Sequence, residues 1–322
     1  MEFHLEFKPK QFDTKIGHQD KLLLIGSCFT EQIGNKLAQH KFSVLDNPNG
    51  ILFNPISIAN AVSSYIQNKQ YNEAEFFCQN ECWNSWQHHS RFSHPDKQTC
   101  LDGINTSQSN AHGFLRTADW LLITLGSAFV YELEDRSVVA NCHKVPTDKF
   151  NKRLLRMDEV VYAFQQMQEQ LIKFNPSLKI VYTISPVRHL RDGFVENNRS
   201  KATLHLAVQQ LTQNNNCLYF PAYELVIDDL RDYRFYAEDM VHPNYAATNY
   251  VWKKFIASCI DEPSQLLMKE INSINAAKSH KAFNPGSEQH KKFLQVNLEK
   301  VKKLQQQNSY INFAEELGYF KS

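Results

Sequence analysis

No apolar run in this chain approaches the roughly 20 residues that a membrane-spanning helix needs, so no spanning segment is expected. The opening residues, MEFHLEFKPKQF, lack the apolar centre of a signal peptide. An excess of one charge is missing too: 35 basic against 34 acidic side chains leave a formal +1. That near-balance gives no electrostatic case for nucleic acid or an acidic membrane surface, and it points to a small or neutral partner. There is no disulfide pattern either. Seven cysteines, an odd number scattered from Cys28 to Cys259 through 322 residues, fit a reducing, cytoplasmic setting better than a secreted framework. Paired metal-ligand spacing is also absent. Cys78 and Cys82 stand in a His- and Trp-rich stretch, residues 76–100, with no matching second pair. Neither a metal nor a cofactor is expected, and the stretch reads as an irregular hairpin packed on the domain.

What the chain does have is alternation. Residues 22–25 form an unbroken apolar run, the mark of a strand buried on both faces of a parallel sheet. Gly26 ends it. Phe29, Ile33 and Leu37 then recur at helical spacing with polar residues between them. The strand signature returns at 120–125, before Gly126-Ser127, and at 178–184, before Ser185-Pro-Val-Arg-His189. Helical periodicity marks 104–118, 157–174, 197–211 and 245–260, and a helix is expected to start near Pro55 after the turn Asn47-Pro-Asn-Gly50. Residues 217–220 read as a short strand, 221–242 as an irregular loop, and 1–20 as a strand or arm leading into the sheet. This succession predicts βαβ units: an α/β fold with a mostly parallel sheet, helices on both faces, and ligands at the carboxyl ends of the strands.

The composition shifts beyond Pro263. Residues 261–322 read as a helical appendage to a domain spanning 1–260, with one helix around Leu266 to Ile274 and a Lys- and Gln-rich one around Phe293 to Leu304. Self-association to an oligomer, or closure as a lid, are the roles open to it.

Two short motifs carry the chemistry. The turn Gly26-Ser27-Cys28 sits above the carboxyl edge of the sheet at a helix N-terminus, where free N–H groups and the helix dipole favour developing negative charge. A serine there suits an acyl-transfer nucleophile, although serine before a helix also serves as an ordinary N-cap. Cys28 is the alternative nucleophile, because a helix N-terminus lowers a thiol pKa. The second motif is Asp239-Met-Val-His242. Three residues apart, the carboxylate can accept from one imidazole nitrogen and leave the other free to take a serine proton.

Together, Gly26-Ser-Cys-Phe29 near one end and Asp239-x-x-His242 near the other resemble the GSCFA family, named after the first motif and assigned to the SGNH hydrolase group of esterases and lipases. The likeness spans roughly residues 20–260 and includes Asn47-Pro-Asn-Gly50, Leu125-Gly-Ser-Ala128 and Ser185-Pro-Val-Arg-His189. It implies a three-layer α/β/α flavodoxin-like sheet, with Ser27 as nucleophile, His242 as general base and Asp239 as its orienter. It also implies an oxyanion hole made by the Ser27 N–H, a glycine N–H matched by Gly50, and an asparagine side chain. The asparagine does not carry over: where the wider group has Gly-x-Asn, this chain has Gly126-Ser127-Ala128. Losing one such donor lowers turnover by about 10²–10³. Ser127, Asn141, His143 and Arg188 are the candidates to replace it, and His89 is expected to reach the pocket from the hairpin. The expected function is an SGNH-type serine esterase acting on a small acyl ester, such as O-acetyl on a carbohydrate or polyol. The missing asparagine keeps two other readings open: an acyltransferase, or a carbohydrate- or ligand-binding module on a catalytically weak scaffold.

Overall fold

Chain order in the computed structural model, which describes residues 4–214 and 216–321, begins with β1 (Lys21–Gly26), α1 (Cys28–Gln39), β2 (Ser43–Asp46) and α2 (Pro55–Gln67). A hairpin of β3 (Phe76–Gln79) and β4 (Cys82–Ser85) precedes α3 (Lys97–Leu115) and β5 (Trp120–Leu125). An excursion then adds β6 (Phe129–Glu132), β7 (Val138–Val139) and β8 (Asn151–Leu154). The alternation resumes with α4 (Met157–Phe174), β9 (Lys179–Ile184), α5 (Phe194–Leu211) and β10 (Cys217–Tyr219). The chain ends with α6 (Ala222–Glu224), α7 (Tyr245–Cys259), α8 (Glu262–Ser279), α9 (Glu288–Gln307) and α10 (Ala314–Lys321).

Five strands form the main sheet in the order β10-β9-β5-β1-β2, every pair parallel. Successive residues of β1 feed opposite faces, as the pleat requires. Leu23 and Ile25 join a core with Val62 of α2, Phe164 of α4 and Leu204 of α5. Leu22 and Leu24 join another with Phe29, Ile33 and Leu37 of α1 and Phe255 of α7. Both faces of the strand are therefore dry, which is why its sequence is apolar without a break. The result is a three-layer α/β/α sandwich. From β1 the chain steps outward to β2, then crosses to the other side of β1 to form β5. Strand order reverses between β1 and β5, and such reversals open the crevice where α/β sheets take ligands. Ser27 stands at that point.

The last three helices share a core of their own, with Ile271, Ile274, Val301, Leu304, Ile311, Phe313 and Phe320 buried together. Met268 of α8 instead enters the core beneath α7, and the Lys41 ammonium lies 2.7 Å from the nearly buried Glu316 carboxylate. These contacts fix the helices against the sheet domain.

Four segments differ from the sequence reading, and a fifth, ahead of β1, follows the arm alternative rather than the strand. β2, β8 and α10 are additional elements: β2 is four residues long and only half-buried, and β8 is charged because its Arg153 pairs with Glu132 at 2.7 Å. Residues 225–230 are not irregular but continue α6 as a π-helical stretch that buries Leu225 and Val226. The segment ahead of β1 adds no strand to the main sheet. It lies along the end of α7, with Phe12 N–H on Ser258 O at 3.0 Å and Ile16 N–H on Cys259 O at 2.8 Å.

Candidate functional site

β1 ends where it does because Gly26 has φ +142°, and a Cβ there would stand 2.2 Å from the Thr124 carbonyl oxygen of β5. Ser27 follows at the N-cap of α1, but its side chain makes no capping hydrogen bond. Its Oγ is fully buried and has no partner. The ordinary structural reason for a serine before a helix is thereby removed. Leaving a buried hydroxyl unpaired costs about 1–3 kcal/mol, which makes Ser27 a candidate functional group. Burial pushes the neighbouring Cys28 thiol up from its usual range, the opposite of what a thiolate nucleophile needs.

The second motif closes on itself. His242 Nδ1 lies 2.7 Å from Asp239 Oδ2, while Asp239 Oδ1 accepts the backbone N–H groups of Val241 at 2.9 Å and His242 at 3.0 Å. Bonds from the His242 backbone and ring, then the Val241 backbone, hold the Asp239 carboxyl down at about 2. Met240, at φ +55°, makes the tight bend. This loop is fastened to the end of β9: Arg188 N–H donates to Val241 O at 3.1 Å, and the Arg188 guanidinium lies 4.0 Å from the Tyr236 ring centre and 4.9 Å from that of Tyr233. Ser27 and His242 thus belong to loops at the same sheet edge. They are not hydrogen-bonded to each other, since the Ser27 hydroxyl has no partner.

The remaining sequence candidates make most of their contacts with other groups, and His143 Nδ1 is buried without a partner. Gly50 has φ +78°, and a Cβ on it would fall 2.2 Å from the His89 Cβ; its N–H donates to Asn47 O at 2.7 Å within the turn. His89 therefore stands beside Gly50, half-buried, with Nδ1 accepting the Arg91 N–H at 3.2 Å. Burial first, and the Arg91 charge second, lower its pKa. The Ser127 N–H donates to Phe53 O at 3.0 Å, and its hydroxyl accepts from Phe129 N–H at 3.1 Å beside the Ser200 hydroxyl. Asn141 Oδ1 accepts the His143 N–H at 2.9 Å, and His143 Nε2 is 2.9 Å from Ser85 O, with its ring edge-on to Phe77. Asn141 and His143 brace the β3–β4 hairpin, Ser127 closes its own turn, and Arg188 holds the His242 loop. None of the four is hydrogen-bonded to the Ser27 hydroxyl.

Residues 21–255 match the GSCFA family, and residues 271–322 match the C-terminal domain of GSCFA domain proteins. The chain belongs to the GSCFA family. No curated protein matches it. Among solved structures it is similar to a carbohydrate esterase family 3 protein from Talaromyces cellulolyticus, with 11% identity and TM-score 0.37 over 79% of this chain and 99% of the other. It is similar to a mutant acetyl esterase solved with an acetate ion, at 11% and 0.36 over 80% and 100%. A third is the acetyl xylan esterase Est2A from Butyrivibrio proteoclasticus, at 10% and 0.36 over 81% and 65%. Likeness of this degree says nothing about the reaction, which rests on the residues themselves.

Three side chains of this GSCFA protein matter more than its sequence suggested. Lys201 on α5 is 2% exposed, with Nζ 2.7 Å from both Gly126 O and Ser185 O, so it ties the ends of β5 and β9 together. Among the described residues it makes no ion pair, and burial brings its pKa down to about 7, offset slightly by Cys28. A neutral amine has two N–H groups, which match the two carbonyls. His189 Nε2 is buried without a partner, 3.2 Å from where a Cβ on Gly126 would be, with its ring edge-on to Phe53. Burial, then the Lys201 and His242 charges, hold its pKa near 3, so the ring stays neutral. Asn47, fully buried, accepts the Gly26 N–H on Oδ1 at 2.8 Å and leaves Nδ2 unpaired. Asn47 and His189 lie inside motifs that the sequence had singled out, so their position was signalled although their role was not. Lys201 carried no signal, being one polar residue among many on a helix.

Proposed function

We propose that this GSCFA protein is a serine esterase of the SGNH kind, cleaving a small acyl ester such as O-acetyl on a carbohydrate or polyol. Ser27 is the nucleophile, His242 the general base and Asp239 its orienter. The observation that carries the reading is the Ser27 hydroxyl: buried, unpaired and uncapping at the strand-order reversal, with a carboxylate-held imidazole on a loop fastened to the same edge. A small acyl group suits so covered a hydroxyl.

Asp239 accepts the Nδ1 proton and so fixes the tautomer in which Nε2 accepts. As the His242 ring takes the Ser27 proton, Oγ bonds to the ester carbon and the carbonyl oxygen gains the charge. The imidazolium then returns the proton to the departing alcohol, leaving an acyl-serine that water clears by the same route in reverse. Capture by a second alcohol instead of water would make the protein a transferase. Reaction requires Nε2 within about 2.6–3.2 Å of Oγ, so substrate binding has to draw the two loops together.

The test is Ser27→Ala. Turnover of short p-nitrophenyl esters is expected to vanish, as is labelling by a fluorophosphonate; unchanged turnover rejects the assignment. A second reading, a binding module, is favoured by the covered serine and by the Gly50 N–H being committed to Asn47 O. On that reading a wide ester panel yields no hydrolysis, and carbohydrate binding survives Ser27→Ala.

A further inference from the structure

An acyl-transfer site at Ser27 needs donors aimed at the oxygen that gains charge. Around the turn most are occupied. The Ser27 N–H reaches Thr124 O at 3.3 Å, the Gly50 N–H is held by Asn47 O, and the Gly126 and Ser127 N–H groups both go to Phe53 O, at 2.9 and 3.0 Å. Residue 128, where the wider group carries its amide, has only a methyl. One carboxamide is not occupied. Asn47 leaves β2 with its N–H on Leu24 O at 2.8 Å and φ +43°, so that its side chain continues the ladder alongside the end of β1. The Gly26 N–H can only donate, and its 2.8 Å bond to the side chain therefore identifies the bonded atom as Oδ1 and the other as the NH₂. That NH₂, on the same carbon, is buried without an acceptor one carboxamide width from the residue before Ser27. Any short acceptor would brace Gly26. The stranded donor is the part that bracing does not explain.

We propose that Asn47 is a catalytic residue whose Nδ2–H supplies the carboxamide donor of the oxyanion site, entering from the loop after β2 instead of the loop after β5. This rests on the hydrolase reading of Ser27. β1 lies between β5 and β2, so Asn47 approaches from one side and the unpaired Nε2 of neutral His189, over Gly126, from the other. One uncommitted donor, and one unpaired imidazole nitrogen that donates or accepts according to its tautomer, thus stand on either side of the end of β1. The charge that forms on the carbonyl oxygen during Ser27 attack is met by the Asn47 N–H and released when the carbonyl re-forms; Asn47 neither gains nor loses a proton.

Asn47→Asp separates the two ends of the side chain, since it keeps an acceptor for the Gly26 N–H and removes the donor. With p-nitrophenyl acetate, kcat is expected to fall about 10²–10³-fold with KM within about threefold. Relative to wild type, activity should partly recover as the pH is lowered, because a protonated carboxyl can donate. Asn47→Ala, lacking both ends, shows no such recovery. Wild-type kcat in Asn47→Asp, or a loss that does not depend on pH, overturns the inference. If Asn47→Asp does not fold, the wild-type protein decides: on fluorophosphonate capture of Ser27, the ¹⁵N-resolved Asn47 NH₂ protons are expected to move downfield, and unmoved protons overturn it. A wild type that neither hydrolyses esters nor is labelled overturns the hydrolase reading itself, a different outcome from an active enzyme indifferent to Asn47.

Discussion

Lys201→Met should uncouple the stability of this protein from pH in one defined window. The native amine titrates near 7, whereas the unfolded one keeps its ordinary value of 10.5. Between those limits the unfolded chain holds a proton that the folded chain has lost, so wild-type stability gains with rising pH. The slope for one proton is about 1.4 kcal/mol per pH unit. Below pH 7 both states are protonated and the contribution is flat, at its least favourable, because a cation is then buried with no carboxylate bonded to it. The groups about it are Cys28, whose thiol is pushed up, neutral His189, His205 and the Tyr223 ring 5.8 Å away. Methionine fills similar space without charge, but it forfeits the bonds to Gly126 O and Ser185 O, at about 1 kcal/mol each. Urea unfolding at half-unit steps from pH 6 to 9.5 is the assay. The gap between wild type and Lys201→Met should be level below pH 7 and then widen in favour of wild type by about 1.4 kcal/mol per unit. Parallel curves across the window would refute the buried neutral amine.

Asp239→Asn can still accept the Val241 and His242 N–H groups, but it presents an NH₂ to Nδ1 and selects the wrong tautomer; ester turnover is expected to fall about 10²–10⁴-fold at nearly unchanged thermal midpoint. An equally fast variant would remove Asp239 from the mechanism. Gly126→Ala puts a methyl 3.2 Å from both His189 Nε2 and Phe53 O, so it should destabilise by about 1–3 kcal/mol in thermal or urea unfolding. Wild-type stability there would mean that His189 does not stand over this position.

Much of the architecture could be read from residue order because the central strands are dry on both faces. Leu22 to Ile25 and Trp120 to Leu125 could not belong to a half-solvated sheet, and the spacing of Val160, Phe164 and Leu171 set α4 at the bounds it has in the structure. Edge elements escaped. β2 has one exposed and three half-buried residues, and β8 is held by an ion pair to β6, so neither produces an apolar signature. At the candidate site, Ser27, Asp239 and His242 could be singled out in the sequence, since a serine at a strand end and a three-residue Asp–His step are local features. The occupancy of each donor was not. Whether the Ser127 hydroxyl is free depends on Ser200, and whether Asn47 carries a spare NH₂ depends on the register of β2 against β1. Lys201 is buried only because two loops distant in sequence turn their carbonyls toward it.

The grip of Arg188 on two tyrosine rings has a bearing on the medium in which the protein can work. Among the described residues that guanidinium forms no ion pair; stacking and one backbone bond to Val241 latch the imidazole-bearing loop. Contacts of this sort, short and against aromatic faces, are little weakened by dissolved salt, whereas exposed charge pairs are screened. The latch should therefore hold in brine much as it does in dilute buffer, leaving ionic strength a poor lever on the reach of His242.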